Sequence, residues 1–351
     1  VRAYLNYHQI AYVEVGASDT TFTEQVVPRV GRWIVPVLKT PNGEYLQDGT
    51  CILDYLQANE PAKNSIYVEQ PVLGAIAHVL EMFGGEGLLR PAMHYRWNFD
   101  ETNLKFLKAT FRDVAGFNLD AAKSEPEFLF ASGRMRKATI SFGVTPRSQG
   151  LVEQSFMQLL DILERHLSCS PYLLGGKPTI ADYGFMGPFF AHLARDPYPL
   201  HLINTNAPHV IKWVERMNSP VDYYDPIKSL TSTELFADDQ LPDTLIELLR
   251  FVSDEFVGEM ASHTEFAEHL KFEPSRALGQ ASSEWRGISI TTGVLMYRFY
   301  LQQRVTDFVD ALDEQDRQSL MSALAETGLA TLLTLKLSRR VKRQGLLEVW
   351  N

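Results

Sequence analysis

The sequence predicts a short α/β unit followed by a long all-helical remainder. Three observations carry this reading. Helix-like and strand-like segments alternate only within residues 1–60. Strand signals nearly vanish from Pro71 onward. Beyond it, apolar residues recur at helical spacing, first in five segments and then again in a tail. At roughly 150 residues per domain, 351 residues make two or three domains. The expected divisions are 1–60, 70–218 and 219–351.

The first helix opens at Val1, where Val1 and Leu5 stand four apart with Tyr4 beside them. Residues 11–15, AYVEV, alternate and read as a strand. A helical segment follows near Thr21–Arg29. Ile34–Lys39 is an apolar strand, Pro41-Asn42-Gly43 a turn, and Glu44–Gln47 a second strand paired with the first as a hairpin. Cys51–Gln57 starts a helix. The later helices are Val72–Gly84, Glu101–Gly116, Gly150–Leu167, Ile180–Ala194 and Pro208–Met217. The third has the clearest stripe, formed by Val152, Phe156, Leu159, Leu160, Ile162 and Leu163. Phe185, Phe189 and Phe190 read as core.

Residues 220–240 are rich in Asp, Pro and Ser and read as a linker. In the tail, Leu245, Leu248, Leu249, Val252 and Phe256 form one stripe, and Val294, Tyr297, Leu301, Val305, Phe308 and Leu312 another. A third helix ends near Gly328, a C-cap. Phe272–Thr292 between the first two reads as loop or short hairpin.

The net charge of -10 argues against nucleic acid or an anionic membrane as the main partner. No apolar run reaches the roughly 18 residues that span a bilayer, and VRAYLNYHQI has no signal-peptide core. Two cysteines, Cys51 and Cys169, form no disulfide framework, which fits a reducing cytoplasm. The basic run Lys336, Arg339, Arg340, Lys342, Arg343 reads as a solvated face near a helix C-terminus. Cys51 reads as a small core residue. His263 and His269, six apart, do not make a metal-binding pattern.

The informative segment is Val35-Pro36-Val37-Leu38, followed by the turn Asp48-Gly49-Thr50 that opens a helix. A proline inside a strand removes a ladder donor and is best tolerated as a cis bond at the strand start. Val35 is then free to offer its N–H and C=O to an extended peptide-like ligand. The helix N-terminus beyond Asp48 is an anion site, and Asp48 suits an ammonium group. Together these fit one end of a zwitterionic peptide.

VPVLKTPNGEYLQDGTCILDYL resembles the glutathione-binding segment of the glutathione S-transferase family. YLLGGKPTIADYGFMGPFFAHLAR resembles the same family's signature for a late core helix, with Thr179 and Asp182 as an N-capping box. The resemblance covers residues 1–218, whereas residues 219–351 resemble only a long-tailed bacterial subgroup. It implies a thioredoxin-like N-terminal domain lacking its first strand, an all-helical C-terminal domain and a mostly helical extension. It also implies glutathione as co-substrate, an electrophilic small molecule as substrate and a cytoplasmic homodimer. By the resemblance, Val35 and cis Pro36 bind the cysteinyl backbone, and Asp48, Gly49 and Thr50 bind the γ-glutamyl end. Gly49 stands where the family has serine, so Thr50 would supply the hydroxyl or the Gly49 N–H would act alone. Met82, His94, Tyr95 and Trp97 would line the electrophile cleft; the alternative is plain helix packing with Arg90 and Arg96 at the surface. The family's catalytic Tyr, Ser or Cys would lie upstream of Val1, with the first strand. An enzyme transferring glutathione thiolate and a non-catalytic module for dimerisation or protein contacts both fit these residues.

The tail stripes need partners. Leaving ten large apolar side chains in water would forgo about 1.5–3 kcal/mol each, more than a domain's net stability. Residues 240–345 should therefore fold as helices against the helical domain. Hydrogen exchange checks this, and free-peptide exchange rates throughout 240–345 would refute it.

Overall fold

The computed structural model describes residues 1–17, 19–59, 65–115, 121–220, 227, 234–270 and 277–351. Helix α1 (Arg2–Tyr7) is followed by residues 11–15, which form no strand. The alternation there was misleading because no described strand lies beside this segment, and an unpaired strand leaves its backbone groups to water. Val13 and Val15 are exposed. A π turn (Phe22–Val26) runs into α2 (Val27–Val30), which Gly31 closes in the left-handed region. Strands β1 (Val37–Lys39) and β2 (Tyr45–Gln47) pair antiparallel, Val37 opposite Gln47, and α3 (Gly49–Asn59) follows. The strand expected from Ile34 starts only at Val37, and the Val35-Pro36 bond ahead of it is cis. Among the described residues the sheet of this unit is that hairpin alone.

The long middle of the chain is helical. Its axis is α4 (Pro71–Met82), a π turn (Phe83–Gly87) and α5 (Leu89–Trp97). Pro71 sits in the first turn, where its missing N–H costs nothing. Asp238 accepts from the Val72 and Leu73 amides at 2.8 and 2.9 Å and so caps this helix from the far end of the expected linker. Most of that linker, 221–226 and 228–233, lies outside the described residues. Pro71–Trp97 is longer and more apolar than the sequence reading allowed: by length and composition it is able to cross a membrane. Of its apolar 18-residue window, 78% is buried inside the protein, as in the central helix of a core.

Around this axis stand α6 (Asp100–Ala115), α7 (Ala121–Ala138), α8 (Gln149–Leu167), α9 (Ile180–Pro188), α10 (Pro197–Asn206) and α11 (Pro208–Met217). Sequence periodicity missed α7 and α10. A third π turn, Phe189–Leu193, extends α9. Helix α9 crosses the axis closely: a Cβ on Gly84 would lie 2.5 Å from the Phe185 amide nitrogen, and one on Gly184 would lie 2.6 Å from the Glu81 Cα. The Thr179–Asp182 capping box starts α9. Asp182 is fully buried and also accepts from the Leu173 amide and the Trp213 indole, both at 3.0 Å.

The tail is folded. Helices α12 (Asp243–Val252), α13 (Gly258–Glu268), α14 (Met296–Ala311), α15 (Glu314–Ala323) and α16 (Ala330–Thr334) pack into the same core as α1, α3 and α4. Of Phe272–Thr292, expected as loop or short hairpin, 272–276 lie outside the described residues and the rest belongs to a long hairpin of β3 (Ala277–Trp285) and β4 (Ile288–Leu295). Its turn is Arg286-Gly287 with φ of 47° and 77°, the two-residue geometry that matches strand twist. The basic run is not a helix face. It leads into a second hairpin, β5 (Val341–Gln344) and β6 (Leu347–Trp350).

Buried charges join tail to axis. Arg298 of α14 donates to Glu86 at 2.9 Å and to Glu259 of α13. Arg90, which the plain-packing alternative places at the surface, is buried and also donates to Glu259. Burial pushes the Glu259 carboxyl up, but the two guanidinium groups outweigh it and hold it at about 2.

Asp182→Ala should destabilise the fold by about 3 kcal/mol, because several buried donors lose their acceptor together. Urea denaturation with an unchanged slope would read this as a lower midpoint. Acid should act on other groups. Burial holds His166 and His263 at about 4, and with Arg96 and Arg195 beside it His192 at about 3. These folded values lie below the unfolded value near 6.5, so the unfolded chain binds more protons between them. Stability should therefore fall as pH drops from about 6.5 toward 4, and thermal melts across that range measure it.

Candidate functional site

The hairpin register builds the candidate site. Val37 faces Gln47, so the residues next in line, Pro36 and Asp48, sit at the same end of the β1–β2 pair. Val35 is 64% exposed there, and Asp48–Thr50 form the entry to α3. Asp48 has φ +71°, a left-handed conformation that short polar side chains tolerate better than most. Gly49 does not need to be glycine for space: nothing lies within 4 Å of where its Cβ would be.

Each polar side chain of this turn has a partner. Thr50 donates to Glu81 of α4 at 3.0 Å and accepts from the Tyr297 hydroxyl of α14 at 3.0 Å. Burial pushes Glu81 up, but Arg304 and His78 outweigh it and leave its carboxyl below the usual range. Asp48 is nearly buried. It accepts from the Gln47 side chain at 3.0 Å and from Arg343 of β5 at 2.8 Å. Arg343 donates to the Gln47 carbonyl at 2.8 Å as well, and pairs with Glu348, its cross-strand neighbour, at 2.8 Å. Burial raises the Glu348 carboxyl, with Asp48 adding to the rise. The Arg343 guanidinium lies over the Tyr300 ring, 5.1 Å from its centre. The Tyr300 hydroxyl is 3.7 Å from the Cys51 sulfur. Burial raises the Cys51 thiol, the direction of a packed residue rather than an activated thiolate.

Sequence reasoning missed Tyr297, Tyr300, Glu81, Arg343 and Glu348 as parts of this site. Arg343 was read as a solvated charge. The signal that would have placed it is the Gly345 turn, which reads VKRQ and LEVW as two strands of a hairpin.

The structure does not bring Met82, His94, Tyr95 and Trp97 to an open cleft. Met82 is fully buried on the axis. The His94 ring nitrogens engage Glu153 at 3.1 Å and Asn98 at 2.8 Å. Tyr95 packs against Phe156 and stacks with Phe99. Trp97 belongs to a small cluster with Met93, Leu107 and Phe128. Arg96 does not stand free either, but forms a two-pronged pair with Asp196 at 2.7 Å.

Residues 126–216, from within α7 to α11, match the family model described as the glutathione S-transferase C-terminal domain. The match supports membership of the glutathione S-transferase family. No curated protein matches the chain.

Replacing Thr50 by valine keeps its shape but strands two buried partners, Glu81 and Tyr297. The variant should lose about 1–3 kcal/mol of stability, read by thermal or urea unfolding.

Proposed function

We propose that this protein binds glutathione at the Val35–Pro36 and Asp48–Thr50 end of its N-terminal hairpin. The observation that carries this is the register just described: an exposed backbone at Val35 and an acidic turn at a helix start, side by side, ahead of residues 126–216, which match the glutathione S-transferase C-terminal domain. The Val35 backbone groups suit the cysteinyl part of the tripeptide as an added strand does. The α3 N-terminus suits the γ-glutamyl carboxylate, and Asp48 its ammonium group. On this reading the protein is a transferase. The glutathione thiolate attacks an electrophilic carbon, a carbon–sulfur bond forms, and the leaving group departs with its electron pair.

A second reading is a non-catalytic module that uses the same fold for dimerisation or protein contacts. The burial of Met82, His94, Tyr95 and Trp97 favours it, because residues expected to meet the electrophile are committed to packing.

Titration calorimetry with glutathione tests the site. Asp48→Ala should weaken binding by on the order of 1–3 kcal/mol, since a charge-assisted bond is lost. Equal affinity for both proteins would remove Asp48 from the site. Glutathione binding without turnover of an activated aryl halide would decide for the module.

A further inference from the structure

We propose that the C-terminal hairpin β5–β6 keeps the glutathione site closed, with the Arg343 guanidinium seated where the ligand's ammonium group belongs. The inference rests on the glutathione reading above and adds a regulatory state to that site. Asp48 is the acid assigned to the incoming ammonium, and its Oδ2 is held by Arg343 Nη2 at 2.8 Å. Arg343 Nη1 takes the Gln47 carbonyl at 2.8 Å, the last backbone acceptor before the turn. Glu348 stands across the hairpin from Arg343 as a second acid at 2.8 Å. Asp48 and Glu348, both nearly buried, thus share the Arg343 cation, while Arg32, held on the Gln47 side chain at 2.8 Å, acts on both from further off.

The exchange is electrically neutral for the protein. If Arg343 swings out, Asp48 and Glu348 lose their nearest cation in a poorly solvated corner and only Arg32 is left to offset them, which is costly until another cation enters. An α-ammonium replaces the guanidinium charge for charge. The Tyr300 ring that now lies under Arg343 offers the newcomer the same π face.

The hairpin is well anchored apart from this side chain. Gln303 of α14 pairs with both backbone groups of Val341, each at 3.0 Å. Trp350 is buried, with the Arg339 guanidinium 4.4 Å from its ring centre. These contacts fix where Arg343 is presented without using the site itself. Opening therefore needs only the Arg343 side chain and the end of the hairpin to move. A ligand that binds only the open form has its apparent affinity reduced by the open fraction.

The test uses the full chain and glutathione, followed by calorimetry. Arg343→Gln should bind glutathione at least about tenfold more tightly than the wild type, because the closed state loses its cation. Asp48→Asn should weaken binding in both backgrounds. If Arg343→Gln binds equally or less tightly while Asp48→Asn still weakens both, the site stands and the closure is wrong. If Asp48→Asn changes nothing in either background, the glutathione reading fails and the closure with it. A measurement on the unmutated protein guards against a folding defect. Hydrogen exchange of amides 343–347, at the end of the hairpin, should speed up at saturating glutathione. Unchanged or slowed exchange would mean that Arg343 does not yield to the ligand, and would overturn the proposal.

Discussion

The structure depends on the pairing of Arg298 with Glu86 and Glu259. Arg298 is almost fully buried on α14, and its two acids come from the central axis and from α13. A guanidinium in such a place is tolerable only if its charge and its fork of donors are met together. Meeting them requires α4–α5, α13 and α14 to adopt one mutual arrangement. Arg90 adds a second cation to the same acid. Hydrophobic burial supplies the larger stabilisation, but it is not directional. The ion cluster specifies which way the tail docks.

That docking explains the state of the candidate site. Helix α14 carries Tyr297, Tyr300 and Arg304 on the side that meets α3 and α4. Tyr297 reaches Thr50, Tyr300 lies beside Cys51, and Arg304 ties Asp54 to Glu81. The hairpin β5–β6 is held on the adjoining face of the same helix, at Gln303. Once α14 is placed by its buried ions, Arg343 lies within reach of Asp48. The tail is thus a wall of the site rather than an appendage.

How much of this was legible in the sequence differs by element. The stripe of α8, the capping box of α9 and the hairpin around Pro41–Gly43 were readable, because each depends on neighbours within a few residues. The strand expected at 11–15 was not formed, since a strand needs a partner that its own residues cannot supply. The substrate lining expected at Met82, His94, Tyr95 and Trp97 met the same difficulty. Aromatic density marks a pocket and a core alike, and only the neighbours distinguish them. Here Glu153, Phe156, Phe99 and Phe128 occupy the places a ligand would need.

By itself the sequence determined that the chain is mainly helical beyond Pro71, that its tail must be buried, and that Asp48–Thr50 open a helix beside Val35-Pro36. Those properties follow from local periodicity, apolar content and turn chemistry. Only the tertiary structure decided that Arg343 meets Asp48 and that Arg298 meets Glu86. The members of these pairs lie 295 and 212 residues apart in sequence. No local pattern encodes such a contact, because it is made by helices and hairpins whose relative placement is settled only when their buried faces and charges are satisfied at once.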